Sequence, residues 1–334
     1  MEYREESNND LSKSQLKKIY FFIGLLIFIF ILIITIIYLI NNLPTSFDLY
    51  ISSAKFLYVR YYIDGNNLIN FLNDHNFSKI YFYVGNIQSH YSLLEKGEFF
   101  NHGNEKLSNL FDRIKAKYKE VVPFIYLNDD NDDFSNIENI PKVCAAFKDN
   151  FTTLLLDLEP TEALNFEKLL KTYKNCTQYI NVSAILLSDW LNVKMKDLQS
   201  SFTDSDFYNQ FQNCDTLIDA IMEVTNYTIF KAYSNQYEKI DALLEEFDNI
   251  RQKHSSNVAT PILEMDPNDD ENGLFPIYKK DKNEFFEYFV KVAETFNETG
   301  IHDYLVWYND LYCQNLYYNL TYYNGTPIDC NKNE

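Results

Sequence analysis

Eight short apolar runs, each followed by a stretch of helical pattern, constrain this chain more than any other feature. They are "FLYVRY" (56–61), "IYFYVG" (80–85), "VVPFIYL" (121–127), "TTLLLDLE" (152–159), "INVSAILL" (180–187), "LIDAIMEV" (217–224), "VATPILEM" (258–265) and "DYLVWY" (303–308). Runs this continuous read as strands buried on both faces. Between them, segments such as "EALNFEKLLKTYKN" and "YEKIDALLEEFDNIRQK" repeat apolar residues at helical spacing. The alternation predicts an α/β fold with a parallel sheet covered by helices, and eight units match a (β/α)8 TIM barrel. An open doubly wound sheet has the same periodicity, because periodicity does not report closure.

The chain of 334 residues is 46% hydrophobic, enough to bury a large core, and its net charge is −19. So acidic a chain excludes nucleic acid as a partner, since phosphate binding needs basic patches. It equally disfavours docking of the folded domain on anionic lipid.

A second feature precedes the first strand. "IYFFIGLLIFIFILIITIIYLI" (19–40) carries no charge and is long enough to span a bilayer as a helix. Lys13, Lys17 and Lys18 lie before it, and no Lys or Arg follows until Lys55. That asymmetry predicts a cytosolic N-terminus. The apolar core is too long for a cleaved signal peptide, and "NNLPTS" is a poor cleavage site. The expected organisation is a cytosolic tail (1–18), a signal anchor (19–40), a stalk (41–54), a lumenal or extracellular barrel (55–312) and a C-terminal tail (313–334). This is a type II membrane protein of the secretory pathway or cell surface, held in the membrane by one helix.

Two counts agree with an oxidising, glycosylating compartment. Eight Asn-x-Ser/Thr sequons occur, and all five cysteines lie beyond the apolar segment. Asn76, Asn150, Asn175, Asn181 and Asn297 fall shortly before or at the start of expected strands, at the end opposite the strand C-termini, and occupancy is expected at most of them. Asn319 and Asn324 are further acceptors in the tail, whereas Asn226 follows the expected sixth strand and should be little used. Cys313 and Cys330 close a short loop after the last strand and are the expected disulfide; the partners of Cys144, Cys176 and Cys214 stay open.

In a barrel of this kind the chemistry sits at the C-terminal strand ends. Strand four ends on Asp157 and Glu159, which share a face because they are two residues apart. Glu223 ends the expected strand six, and Glu264 and Asp266 close strand seven. Trp190 follows strand five, while Trp307 and Tyr308 end strand eight. Indole and phenol faces at such a rim suit sugar rings.

"TTLLLDLEP" resembles the second half of the D-x-x-D-x-E signature of glycoside hydrolase family 18, the chitinase-like barrels. "LIDAIMEVTNY" is similar to that family's strand-six segment ending Met-x-Tyr-Asp, and "YLVWYND" to its last strand. The resemblance implies that Glu159 protonates the glycosidic oxygen and that Asp157 orients the substrate's acetamido group. It implies Trp307 under the bound sugar and N-acetylhexosamine-containing glycans or glycoproteins as ligands. Three positions depart from the pattern: Leu154 stands at the first Asp of the D-x-x-D-x-E signature, and Val224 and Thr225 stand at the Tyr and Asp of Met-x-Tyr-Asp. Tyr227 lies two residues beyond, as a substitute for the missing tyrosine. A different retaining chemistry would pair Glu159 with Glu264 as nucleophile, with the carboxyl groups about 5–5.5 Å apart. "LDLE" also resembles the Asp-x-Glu of the family 25 lysozymes, without that family's flanking motifs. A barrel that binds glycans or a protein without turnover would use the same residues.

Other signals point less far. "NDDNDD" (128–133) contains the Asp-x-Asp of a metal-dependent Golgi-type glycosyltransferase, and also reads as a solvated acidic loop. "NDDENGLFPIYK" (268–279) imitates a calcium loop, but Lys279 replaces the closing glutamate. The five histidines show no metal spacing and there is no phosphate-cradling glycine loop. No metal and no cofactor is expected.

Overall fold

The computed structural model describes residues 6–42, 56–59, 65–74, 77–99, 107–118, 120–128, 134–160, 162–231, 237–254, 259–263 and 305–307. The chain divides into two compact units, residues 1–49 and 50–334.

The described residues of the first unit form one helix, α1 (Glu6–Asn42). Its stretch Lys17–Thr35 has mean hydropathy 2.7 and the length to cross a membrane, properties that anchors and signal sequences share.

The second unit is an α/β fold with a parallel sheet. Its strands are β1 (Phe56–Val59), β2 (Lys79–Asn86), β3 (Glu120–Asn128), β4 (Thr153–Glu159), β5 (Asn181–Leu187), β6 (Tyr227–Lys231), β7 (Ala259–Leu263) and β8 (Leu305–Trp307). Each pairs in parallel with the next, and β8 pairs with β1 through Tyr58 and Trp307, so the ladder returns on itself. The described helices are α2 (Gly65–Asp74), α3 (Ile87–Leu94), α4 (Leu107–Lys117), α5 (Ile140–Phe147), α6 (Phe166–Cys176), α7 (Met195–Leu198), α8 (Ser205–Asn209), α9 (Leu217–Val224) and α10 (Tyr237–Lys253).

Burial explains why the strands read as unbroken apolar runs. In β4, Leu154 to Leu158 are all buried. The odd side of β4 turns inward, where Leu155 meets Tyr81, Val122, Phe124, Ile185 and Ile229. The outer side of the sheet lies under helices, as at the ring contacts Phe82–Phe111 from β2 and Phe230–Phe247 from β6. At the strand N-termini the interior is closed by the Lys79–Glu120 ion pair (2.6 Å), with the Lys79 ammonium 5.2 Å from the centre of the Tyr227 ring.

One expected strand is a helix. Residues 217–224 form α9, although the apolar run "LIDAIMEV" predicts the sixth strand there. The physical reason is a reciprocal capping box: Thr216 Oγ1 accepts from the Asp219 N–H (3.2 Å), and Asp219 accepts from the Thr216 N–H (2.9 Å). Six consecutive residues of α9, Leu217 to Met222, are buried, so helical periodicity is erased from the sequence. The true β6 is the five-residue "YTIFK" that follows.

Asp219 also binds the last turn of α10 and the residue after it, through Lys253 Nζ (2.9 Å) and His254 Nε2 (2.8 Å). Burial acts against its charge, but the bonds from His254, Lys253 and Thr216 prevail and bring its carboxyl down to about 2. A depressed carboxylate stabilises the fold above its unfolded value of about 3.9 and loses that contribution as pH falls toward the folded one. Acid unfolding of the protein should therefore lose stability on the order of 2 kcal/mol between about pH 4 and 2 from this residue alone. In Asp219→Asn that segment of the pH–stability curve should flatten, and an unchanged curve would refute the assignment.

Cys144 in α5 and Cys176 in α6 form a disulfide, with Cα atoms 5.4 Å apart. Both are fully buried. Among the described residues Cys214 is a free thiol, and Cys313 and Cys330 lie outside them. The bond closes 32 residues of sequence separation, for which the chain-entropy model gives about 3–4 kcal/mol. Urea unfolding with and without reductant should show that difference; coincident midpoints would refute the bond.

Candidate functional site

β4 delivers its two acids to the interior because the strand keeps its alternation to the last residue. Asp157 and Glu159 follow Leu155 on the inward side, and Asp157 is fully buried. On β3 the paired positions are Tyr126 for Asp157 and Asn128 for Glu159. The third member comes from β6. Lys231, two residues beyond the inward-facing Ile229, ends that strand, and its side chain is 4% exposed.

The three side chains meet. Lys231 Nζ lies 3.4 Å from Asp157 Oδ1 and donates to Glu159 Oε1. Glu159 is the outermost, with 19% of its side chain exposed. Burial pushes the Glu159 carboxyl above its ordinary value; Lys231 opposes this and Asp157 adds to it, with a net upward shift. Two acids and one base share a buried space, so one acid can keep its proton while the group stays neutral. The arrangement can thus hold a proton on a partly exposed carboxyl at the C-terminal end of a parallel sheet.

Lys231 is hard to see in the sequence because α9 carries the strand-like apolar run and β6 begins ten residues after that run starts. The available signal was a single lysine ending a short run of strand-forming residues, "YTIFK", just after the Thr-x-x-Asp box.

The corrected sixth strand moves three sequence expectations. Glu223 is exposed near the C-terminus of α9, before β6, and so lies away from the strand C-termini. Tyr227 is the first residue of β6 and packs at the interior's opposite end, beside Lys79 and four residues before Lys231. Asn226 precedes β6, at the end far from Glu159, so the mouth position expected for it does not exist. Its amide oxygen accepts from the Val182 N–H at the start of β5 (2.8 Å).

Trp190 follows β5 as expected, but it is only 3% exposed and packs edge-on against Phe166 at 6.0 Å. Its ring builds the wall beneath the rim and presents no open face there. Trp307 is the last residue of β8. Glu264, Asp266, Tyr308, the acidic run 129–133 and the loop 268–279 lie outside the described residues. Among the glycosylation sites, Asn150, Asn175 and Asn181 are exposed, while Asn76, Asn297, Asn319 and Asn324 are outside the described residues. Among the described residues no group of His, Cys, Asp and Glu has the geometry of a metal site.

No family model and no curated protein matches this sequence. Among solved structures, the chain is similar to a provisionally assigned alpha-L-fucosidase of Bacteroides thetaiotaomicron, with 13% identity and a TM-score of 0.48, over 80% of this chain and 94% of that one. It is also similar to the spore cortex-lytic enzyme SleL of Bacillus megaterium, with 12% identity and a TM-score of 0.43, over 76% of this chain and 70% of that one.

Proposed function

We propose that this protein is a membrane-anchored (β/α)8 barrel of glycoside hydrolase type that acts on N-acetylhexosamine-containing glycans, with Glu159 as proton donor. The observation that carries the reading is the placement of the Glu159 carboxyl, partly exposed where β4 ends and backed by Asp157 and Lys231, where burial favours its protonated form. A general acid needs its proton near working pH, and burial beside a second carboxylate supplies that.

The chemistry follows from the placement. Glu159 gives its proton to the glycosidic oxygen as the bond to the anomeric carbon breaks. In the substrate-assisted course, the acetamido oxygen of the sugar bonds to that carbon, with Asp157 orienting the amide. Water then opens the cyclic intermediate, and Glu159 takes a proton back. Glu264, one residue past β7, is the alternative nucleophile. Lys231 balances one negative charge, so the pair of acids need not both be protonated to remain buried.

The family 18 resemblance supports this reading at Asp157 and Glu159, while its strand-six motif loses support because residues 217–224 are helical. The Cys144–Cys176 bond fits a lumenal or extracellular domain, since such bonds persist in oxidising compartments. That placement matches a type II anchor at α1.

The contact of Lys231 with Glu159 favours one second reading, a barrel that binds glycans without cleaving them. A lysine holding Glu159 ionised would remove the proton donor. The full chain in detergent, offered chitooligosaccharides and N-glycans, separates the two. Cleavage is expected; binding alone selects the second reading, and neither would overturn both.

A further inference from the structure

Thr228 poses a question that the fold does not answer. It sits in β6 on the side away from the interior, fully buried, and its hydroxyl has no hydrogen-bond partner among the described residues. A buried hydroxyl without a partner costs stability, and valine would fill the same space with the same β-branching. The hydroxyl does have a use in the unfolded chain, as the third residue of Asn226-Tyr227-Thr228, where it completes an acceptor sequon.

The surroundings of Asn226 fit that role. It is exposed, and it is held at two points: its N–H donates to the Val182 carbonyl (2.9 Å), and its amide oxygen accepts from the Val182 N–H (2.8 Å). A side chain facing an N–H donor must present oxygen, which leaves Nδ2, the atom that carries a glycan, outside that bond. Glycosylation preserves the oxygen, so both bonds survive it.

Asn226 also lines a cavity of about 370 Å³ with Lys174, Gln210, Phe211, Glu223 and Val224. That volume lies within the ~300–1,000 Å³ of small-ligand sites. The lining combines a cation, an amide and a carboxylate with an aromatic and an aliphatic surface. Such a mixture suits the hydroxyls, the acetamido group and the apolar ring face of an N-acetylglucosamine.

We infer that Asn226 is N-glycosylated and that the first sugar of its glycan sits in this cavity, bracing the start of β6 against α6 and α9. The inference rests on the lumenal placement proposed above. It does not require cleavage activity, because the cavity is at the end of the sheet opposite Glu159.

The full chain made in a eukaryotic secretory host should carry a glycan on Asn226 in most molecules by glycopeptide mass spectrometry. N-glycanase acting on the native protein should release it at least ~10-fold more slowly than the glycan on exposed Asn150, because access needs local opening. Thr228→Val should lose that glycan alone and melt about 2–4 °C lower than wild type. Made without glycans in a bacterial host, the same variant should melt at or above wild type, which separates the sugar from the side chain. An empty Asn226 beside filled Asn150 and Asn181 would overturn the site while leaving the lumenal placement standing. All sequons empty would overturn the site and the placement together. Release from Asn226 as fast as from Asn150, or a Thr228→Val variant that melts higher in both hosts, would overturn the seating of the sugar.

Discussion

Glu159→Gln is expected to lower glycan cleavage by ~10²–10⁴-fold, the usual contribution of a positioned general acid. The substitution is nearly isosteric, and the amide oxygen can still accept from Lys231. Folding should therefore be retained, as read from an unchanged circular dichroism spectrum and a melting point close to wild type. Substrate binding should also persist, so the loss should appear in kcat rather than KM. A variant that cleaves as fast as wild type would remove the β4 acid from every catalytic version of the proposal. Should wild type bind and not cleave, the same variant becomes a test of whether Glu159 contacts the sugar.

The second large effect is one of stability. Lys231→Met removes the cation that faces a fully buried Asp157 at 3.4 Å. Breaking a buried pair by removing one partner typically costs about 3–5 kcal/mol, because the remaining charge is left in a medium that solvates it poorly. That cost should appear as a lowered denaturant midpoint with an unchanged slope. Adding Asp157→Asn to the variant should recover a large part of the loss, since the stranded charge goes with it. If Lys231→Met is as stable as wild type, the pair does not form. A variant that remains folded also reports on the acid. Lys231 draws the Glu159 carboxyl down against its net upward shift, so its removal lets that carboxyl rise further. The alkaline limb of any cleavage profile should then move to higher pH, because the proton is held longer.

Both effects depend on a constellation that was half visible in the sequence. Asp157 and Glu159 could be found because β4 is a plain case: a run buried on both faces, ending in two acids with the right spacing. Most other strands were legible for the same reason, and β5 was found within one residue of its bounds. Lys231 was not legible, because its own strand, β6, was hidden by α9. A short helix with nearly every residue buried shows the same apolar run as a buried strand, and periodicity has nothing left to report. Only the Thr216–Asp219 cap distinguishes them, a signal two residues wide. Once that run is taken as a strand, Glu223 and Tyr227 move to the wrong end of the sheet by necessity. The Cys144–Cys176 bond was out of reach for another reason: the spacing in sequence says nothing about which helices stand side by side.

That bond encloses more than two helices. Its 32-residue span contains the whole of β4, so Asp157 and Glu159 lie inside a covalent ring. The ring includes an exposed turn just past β4, where Leu164 is 64% accessible. A protease that cuts at this turn in the intact protein severs the backbone without producing separable fragments. The two pieces should migrate together on a denaturing gel and part only after reduction, so the strand bearing the acids keeps its covalent tether to the chain on both sides of a nick.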